Sequence, residues 1–273
     1  MLVTMLDDEE LIRLGLVDDE EIALDEAALV LARLDHPEID DGPYQDFLWA
    51  LSERLSEVAT DTIEPHEQAE HLARVIAKEH GFRGDAVTYD DPANADLIRV
   101  IDRRQGLPVS LSILYVGAAR QLGWTANVLD IPGHVLVLIG DEVDPVIIDP
   151  FRGGRVVDTD ELATLVQAMS PDPVAAVSHV ATMPNRAVLV RLLLNQATRA
   201  EAAGKGKRAL TLYRRMTVMA PGHGHAWWER ARLELIDGDT AAARHSLTAM
   251  LEVTRDSDVR ERIADVLASI SRA

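Results

Sequence analysis

Two side chains fifteen residues apart form the first pair able to do chemistry: His134, in Pro132-Gly133-His134-Val135-Leu136-Val137, and Asp149, in Ile148-Asp149-Pro150-Phe151. On two adjacent antiparallel strands, a carboxylate near the end of the second can orient an imidazole near the start of the first, as a general base and its orienting group require. The alternative reading of His134 is a packed histidine with its hydrogen bonds satisfied inside the fold. A base also needs a nucleophile to activate, and the chain contains no cysteine. That excludes disulfides, thiolate metal sites and every mechanism using a protein thiol. The remaining histidines give no ligand spacing: His66 and His71 are five apart, and His223-Gly224-His225 falls in a predicted turn. No metal site and no cofactor is expected.

The elements that must position this pair can be read around it. Thr125 to Leu129, His134 to Ile139 and Val143 to Ile148 read as short strands, joined by turns at Ile131-Pro132-Gly133 and Gly140-Asp141. Before them, Gly106-Leu107-Pro108 opens an apolar helix ending near Gly123, with Pro108 suited to the first helical position because its missing N–H has no partner there. Residues 82–105 are polar and turn-rich. Upstream, helical spacing links Ile22, Ala27, Val30 and Leu34, then Phe47, Leu48, Leu51, Leu55 and Val58, with a break at His36-Pro37 and Asp41-Gly42-Pro43. A third helix is predicted from Glu67 to His80, stopped by Gly81. Downstream of Pro171, Pro173 and Pro184 the chain turns wholly helical from Arg186. There a shift of 34 residues places Gly204 on Gly238, Ala209 on Ala243 and Tyr213 on Leu247, the tetratricopeptide period, with a closing helix at Asp258 to Ser269. Trp227 and Trp228, about 100° apart on one helix, cannot both face inward, so one is expected at an interface.

Composition bounds the rest. The 273 residues are 47% hydrophobic and 27% charged, enough for a buried core and one or two domains. The net charge is −19, and residues 1–70 hold nearly all of it, with 21 acids against three bases, Arg13, Arg33 and Arg54. Such a field repels phosphate backbones, so no nucleic-acid partner is expected. Apolar runs as short as Val135 to Ile139 cannot cross a bilayer, and Met1 to Glu10 is acidic, unlike a secretory signal. A soluble cytoplasmic protein without membrane contact is expected.

Several motifs in order then carry a resemblance: Tyr89-Asp90-Asp91-Pro92, Asn94, Asp102-Arg103-Arg104-Gln105-Gly106-Leu107-Pro108-Val109-Ser110-Leu111-Ser112, Tyr115, Ala119-Arg120-Gln121-Leu122-Gly123, Pro132-Gly133-His134 and Asp149-Pro150-Phe151. Over residues 20–165 the chain resembles the SirB-type transglutaminase-like family, many members of which carry a tetratricopeptide-like tail. The resemblance implies a papain-like core in which a helix N-terminus faces an antiparallel sheet and a Cys–His–Asp triad spans the two. The expected fold is α+β: a helical N-terminal region plus this core with a small antiparallel sheet, then an all-α tetratricopeptide-like tail. The expected domains are 1–183, with 1–80 mainly helical and acidic, and 186–273.

Transferred residue by residue, the imidazole and carboxylate positions match at His134 and Asp149. The nucleophile position, two residues after Gly106 and fifteen before Gly123, is Pro108, which has nothing to activate. Ser110 and Ser112 follow about 200° and 40° around the helix, so Ser112 is nearer the right face. Arg103, Arg104 and Gln105 precede the helix and can project into the same cleft, where paired guanidinium groups suit a carboxylate-bearing peptide or metabolite; the alternative is pairing with acids of the N-terminal helices. The expected function is a non-catalytic protein- or peptide-binding or regulatory module, with a protein or peptide partner held through the cleft or the tail. The competing reading is a serine-dependent hydrolase or acyltransferase using Ser112 or Ser110 with His134 and Asp149.

Overall fold

A computed structural model describes residues 2–131, 134–141, 145–167 and 181–270. The chain divides into two compact units, one of Asp19–Leu192 and one of Met1–Asp18 with Leu193–Ala273. The first helix, α1 (Leu2–Leu16), was not anticipated from apolar spacing and belongs to the second of these units.

The unit Asp19–Leu192 begins with α2 (Leu24–Arg33), whose Leu24, Ala27, Ala28, Leu29, Leu31 and Ala32 are buried. Helix α3 (Gly42–Val58) starts on Pro43 and buries Leu48, Leu51 and Leu55. Helix α4 (Pro65–Leu72) widens into a π-helical stretch, Ala73–Glu79, so the predicted third helix is present but changes pitch midway. Gly81, at φ +75°, ends it in the left-handed region that a side chain disfavours. Residues 82–105 are not all turns: two-residue strands β1 (Arg83–Gly84) and β2 (Gln105–Gly106) pair in parallel, and between them runs α5 (Leu97–Arg103). Two features make α5 a helix. The Asp96 carboxylate caps it by accepting from the Arg99 N–H at 3.1 Å, and Leu97, Ile98, Val100 and Ile101 bury.

Helix α6 (Pro108–Gln121) opens on Pro108 as predicted and is buried continuously from Val109 to Ala119. A helix apolar on all sides belongs in the interior, and α6 packs against α2, α3 and α4 as well as the sheet. That sheet holds β3 (Ala126–Ile131), β4 (His134–Ile139), β5 (Val146–Asp149), β6 (Arg155–Val156) and β7 (Ala181–Thr182) in the order β6-β5-β4-β3-β7, antiparallel throughout. The combination is α+β. The strand expected at Val143 to Ile148 begins at Val146; Val143, the turn residues Pro132 and Gly133, and Pro171 and Pro173 lie outside the described residues. Leu129, Ile131 and Leu136 form one apolar cluster with Val157, joined by Leu138, Ile147 and the Leu162 and Leu165 side chains of α7 (Thr159–Gln167).

Helix α8 (Asn185–Ala202) starts where Asp19 supplies a distant cap: its carboxylate accepts from the Asn185 N–H at 2.8 Å and the Arg186 N–H at 2.9 Å. The unit formed by Met1–Asp18 and Leu193–Ala273 then holds α9 (Gly206–Met219), α10 (Gly224–Ile236), α11 (Thr240–Val253) and α12 (Ser257–Ile270). Both ends of α9 recur 34 positions later as the ends of α11, and each is preceded by a positive-φ glycine, Gly204 at +70° and Gly238 at +82°. A Cβ on Gly15 would stand 2.7 Å from the Val218 carbonyl, so α1 can approach α9 this closely only without one. Inside the unit the Glu234 carboxylate is fully buried and compensated, accepting from Arg230 Nε at 2.9 Å and the Ser246 hydroxyl at 2.7 Å. Of Trp227 and Trp228, expected to face different ways, Trp227 is buried in a cluster with Ala231, Leu247 and Ile263, and Trp228 packs against that cluster partly buried.

One buried acid yields a test. Asp25, in the first turn of α2, is 4% exposed and packs against Gly117 of α6; burial first of all pushes its pKa up. A folded pKa above the unfolded one means that the folded state gains stability as pH falls through the raised value. Asp25→Asn should therefore raise the Tm at neutral pH, and its advantage over the wild type should shrink to nothing as pH falls below the ordinary carboxylate range. A pH series of thermal melts reads both; an advantage that grows on acidification contradicts the assignment.

Candidate functional site

The first turn of α6 is where the expected site begins, and a network of polar groups fixes it. Asn94, fully buried in the short 3-10 turn Pro92–Ala95, accepts on its backbone carbonyl both the Leu107 N–H at 2.9 Å and the Ser110 hydroxyl at 2.7 Å. Its side-chain amide donates to the Thr88 carbonyl at 2.7 Å, and its side-chain oxygen accepts from Arg103 at 3.2 Å. Arg103 also reaches Asp85 at 3.0 Å and Asp91 at 3.6 Å. Asp85 itself is 3% exposed and accepts from the Thr88 hydroxyl, the Thr88 N–H and the Val87 N–H. Those bonds, the Thr88 hydroxyl foremost, pull its pKa down to about 2.

Arg103, read as facing either a ligand or the acids of the N-terminal helices, is paired with Asp85 and Asp91, its side chain 30% exposed. Asp85 escaped the sequence reading because nothing in its local spacing distinguishes a buried turn carboxylate from a surface one. Arg104 has a different environment. It ends α5 at φ +56°, and its guanidinium lies over the rings of Phe47 at 4.1 Å and Phe82 at 4.7 Å. Its buried Nη1 has no hydrogen-bond partner among the described residues. Gln105, once its amide is oriented to suit its neighbours, accepts from Arg83 at 2.7 Å across the two-residue strand pair.

Along α6 the positions diverge in the same way. Pro108 is half-buried at the first helical position, with Leu107 in extended conformation before it. Ser110 is fully buried and bonded to Asn94. Ser112 is also fully buried, and its hydroxyl has no partner among the described residues. One turn further, the Tyr115 hydroxyl is equally buried and without a hydrogen-bond partner; burial first, then the charge of Asp149, holds this phenol well above its usual pKa. Gly154, at φ +76°, leaves room for the Tyr115 ring, since a Cβ there would meet it at 2.9 Å. The same closeness recurs at Gly84, where a Cβ would overlap the ring of Phe151 at 2.4 Å.

His134 and Asp149 stand on adjacent strands. His134 pairs with Ile131 at the start of β4 and is half-buried. The ladder between β4 and β5 has Val137 opposite Ile148, so one step further brings Asp149 level with Leu136, diagonal to His134 and on the same face by strand alternation. Among the described residues no hydrogen bond or ion pair joins the two. The Asp149 carboxylate instead caps the turn Pro150–Arg152, accepting from the Phe151 N–H at 2.9 Å and the Arg152 N–H at 3.2 Å, with Arg152 Nε at 3.6 Å. Among the described residues, no three side chains of metal-binding type converge.

Comparison with known proteins agrees on this region. Residues 43–194, more than half of the chain, match the model of the transglutaminase-like superfamily. A UPF0162 protein of Xylella fastidiosa is 31% identical over 245 residues, covering 88% of this chain and 87% of that protein. F-box only protein 21 of Mus musculus is 31% identical over 93 residues, which is 31% of this chain and 15% of that protein. Among solved structures, the crystal structure of menin superposes with a TM-score of 0.41 at 14% identity, covering 93% of this chain and 72% of that one, a likeness too loose to bear on the fold.

The polar network at the head of α6 makes its own prediction. Arg103→Met leaves Asp85 buried without its charged donor, and a charge-assisted hydrogen bond of this kind contributes about 2 kcal/mol. The variant should lose about that much in urea unfolding at neutral pH. Because the Asp85 pKa is depressed, the carboxylate's contribution is present above the unfolded pKa and disappears as pH falls to about 2, so wild type and variant should converge in acid. An unchanged urea midpoint would show that the network does not hold the helix start.

Proposed function

This chain belongs to the transglutaminase-like superfamily, and we propose that it is a non-catalytic member: a SirB-type, papain-like core with a tetratricopeptide-like tail, serving as a protein- or peptide-binding or regulatory module. The observation that carries this reading is the nucleophile position. Pro108 heads α6, where the family's cysteine would stand, and no cysteine exists elsewhere in the chain. A helix N-terminus lowers the pKa of a thiol, and with a pyrrolidine ring in its place that field has nothing to ionise.

Three further observations support it. Ser110 donates to a backbone carbonyl and is buried, so its hydroxyl is not poised for attack. Ser112 is fully buried beneath the helix surface, closed to a substrate carbonyl. Asp149 is committed to the turn that follows it. The serine-dependent alternative keeps one favourable observation, the unpartnered Ser112 hydroxyl among the described residues. The recurrence of helix ends at 34 residues supports the tetratricopeptide-like reading of the tail. Among the described residues no helix is long and apolar enough to cross a membrane, and a cytoplasmic location is part of the same proposal.

Purified protein assayed for amidase, protease and amine-transfer activity should show nothing above a His134→Ala control, and a fluorophosphonate probe should label neither serine. Activity or labelling that disappears with His134→Ala overturns the proposal in favour of the Ser112 mechanism. Pro108→Cys should gain a thiol that alkylates at neutral pH faster than an ordinary cysteine with a pKa of about 8.5.

A further inference from the structure

The edge of α3 beside its buried stripe carries an unexplained indole. Trp49 is 64% exposed, far from the usual behaviour of so large an apolar side chain, and Ile63 beyond the end of α3 is 80% exposed. Trp49 stands between two adjoining grooves. The larger, about 770 Å³, is bordered by Trp49, Ile63, Trp124, Glu53 and Asp61. The smaller, about 380 Å³, is bordered by Leu29, Val30 and Leu48 with Glu26 and Asp41 at its rim. Trp49, Ser52 and Gln121 line both, so an elongated occupant can run from one into the other.

The charge of these grooves selects the occupant. Neither has a lysine, arginine or histidine among its lining residues. Asp41 faces Arg33 at 3.6 Å, but Glu26, Glu53 and Asp61 have no ion-pair partner among the described residues. All lie within the first 70 residues, where acids outnumber bases 21 to three. An exposed indole face attracts cations, arginine above all, and unpaired carboxylates around it add to the same field. Nucleic acid is repelled by that field, and an acidic or neutral peptide leaves the carboxylates unanswered.

We propose that the α3 face around Trp49 docks a basic peptide segment, with an arginine or lysine against the indole and an aliphatic side chain in the groove floored by Leu29, Val30 and Leu48. The proposal rests on reading the chain as a binding module and names the surface and the partner's chemistry.

Fluorescence anisotropy of a fluorescein-labelled Arg/Leu peptide, titrated with the full chain, tests it, with a Glu/Leu peptide of the same pattern as control. The Arg/Leu peptide should bind and the Glu/Leu peptide should not. Trp49→Ala should weaken binding about tenfold or more, as removal of a central aromatic anchor does. Ile63→Lys, at a position too exposed to affect folding, should weaken it as well, and so should Glu53→Gln combined with Asp61→Asn. Binding unchanged in Trp49→Ala and Ile63→Lys, or equal binding of the two peptides, overturns the proposal while leaving the non-catalytic reading standing. Catalytic activity in the assays above would instead remove that reading and leave the titration to be judged by itself.

Discussion

One backbone carbonyl holds the start of the central helix. Asn94 accepts from the Leu107 N–H and from the Ser110 hydroxyl, so the residue before Pro108 and the second residue after it are tied to the same oxygen. A proline at the first helical position needs no donor of its own, and the bonds on either side of it set the direction in which α6 leaves the loop. Because α6 is buried from Val109 to Ala119, that direction fixes where α2, α3, α4 and the sheet can pack. Asp85 and Arg103 extend the same constraint outward by holding the Asn94 side chain and the turn beside it.

The polar groups at the head of α6 and at the end of β5 are bound into the fold. In a working acyl-transfer site the carboxylate holds the imidazole and the imidazole faces a nucleophile. Here Asp149 caps the turn Pro150–Arg152, Ser110 serves the loop, and Arg103 neutralises a buried aspartate. Each of these partners adds stability to the fold, and none of them needs a substrate.

Much of this was legible in the sequence because it rests on local signals. Pro108 marks the start of α6, alternating and apolar runs mark β3 and β4, and the 34-residue recurrence appears in the helices of the tail. What escaped was decided by distant partners. Helix α5 looks like part of a polar turn until the Asp96 cap and the burial of Ile98 and Val100 are known. Strands β1 and β2 are two residues each and exist only because each meets the other. Helix α1, which no apolar spacing marked, belongs with helices at the opposite end of the sequence. At the site, the spacing of His134 and Asp149 suggested the neighbouring strands that β4 and β5 form, but no spacing could reveal that the carboxylate serves its own turn or that Arg103 pairs with Asp85.

The guanidinium of Arg104, resting on Phe47 and Phe82 rather than on a carboxylate, gives the core unit a fastening of a particular kind. Exposed ion pairs such as that of Arg54 with Glu79 fade as ionic strength rises, since mobile ions screen them. A cation pressed against aromatic rings and shielded from water keeps most of its attraction. Concentrated electrolyte also relieves the mutual repulsion among the crowded N-terminal carboxylates. Added salt therefore acts on this chain in two directions at once, loosening its exposed ion pairs while easing the repulsion among the N-terminal carboxylates and leaving the stacking of Arg104 largely in place.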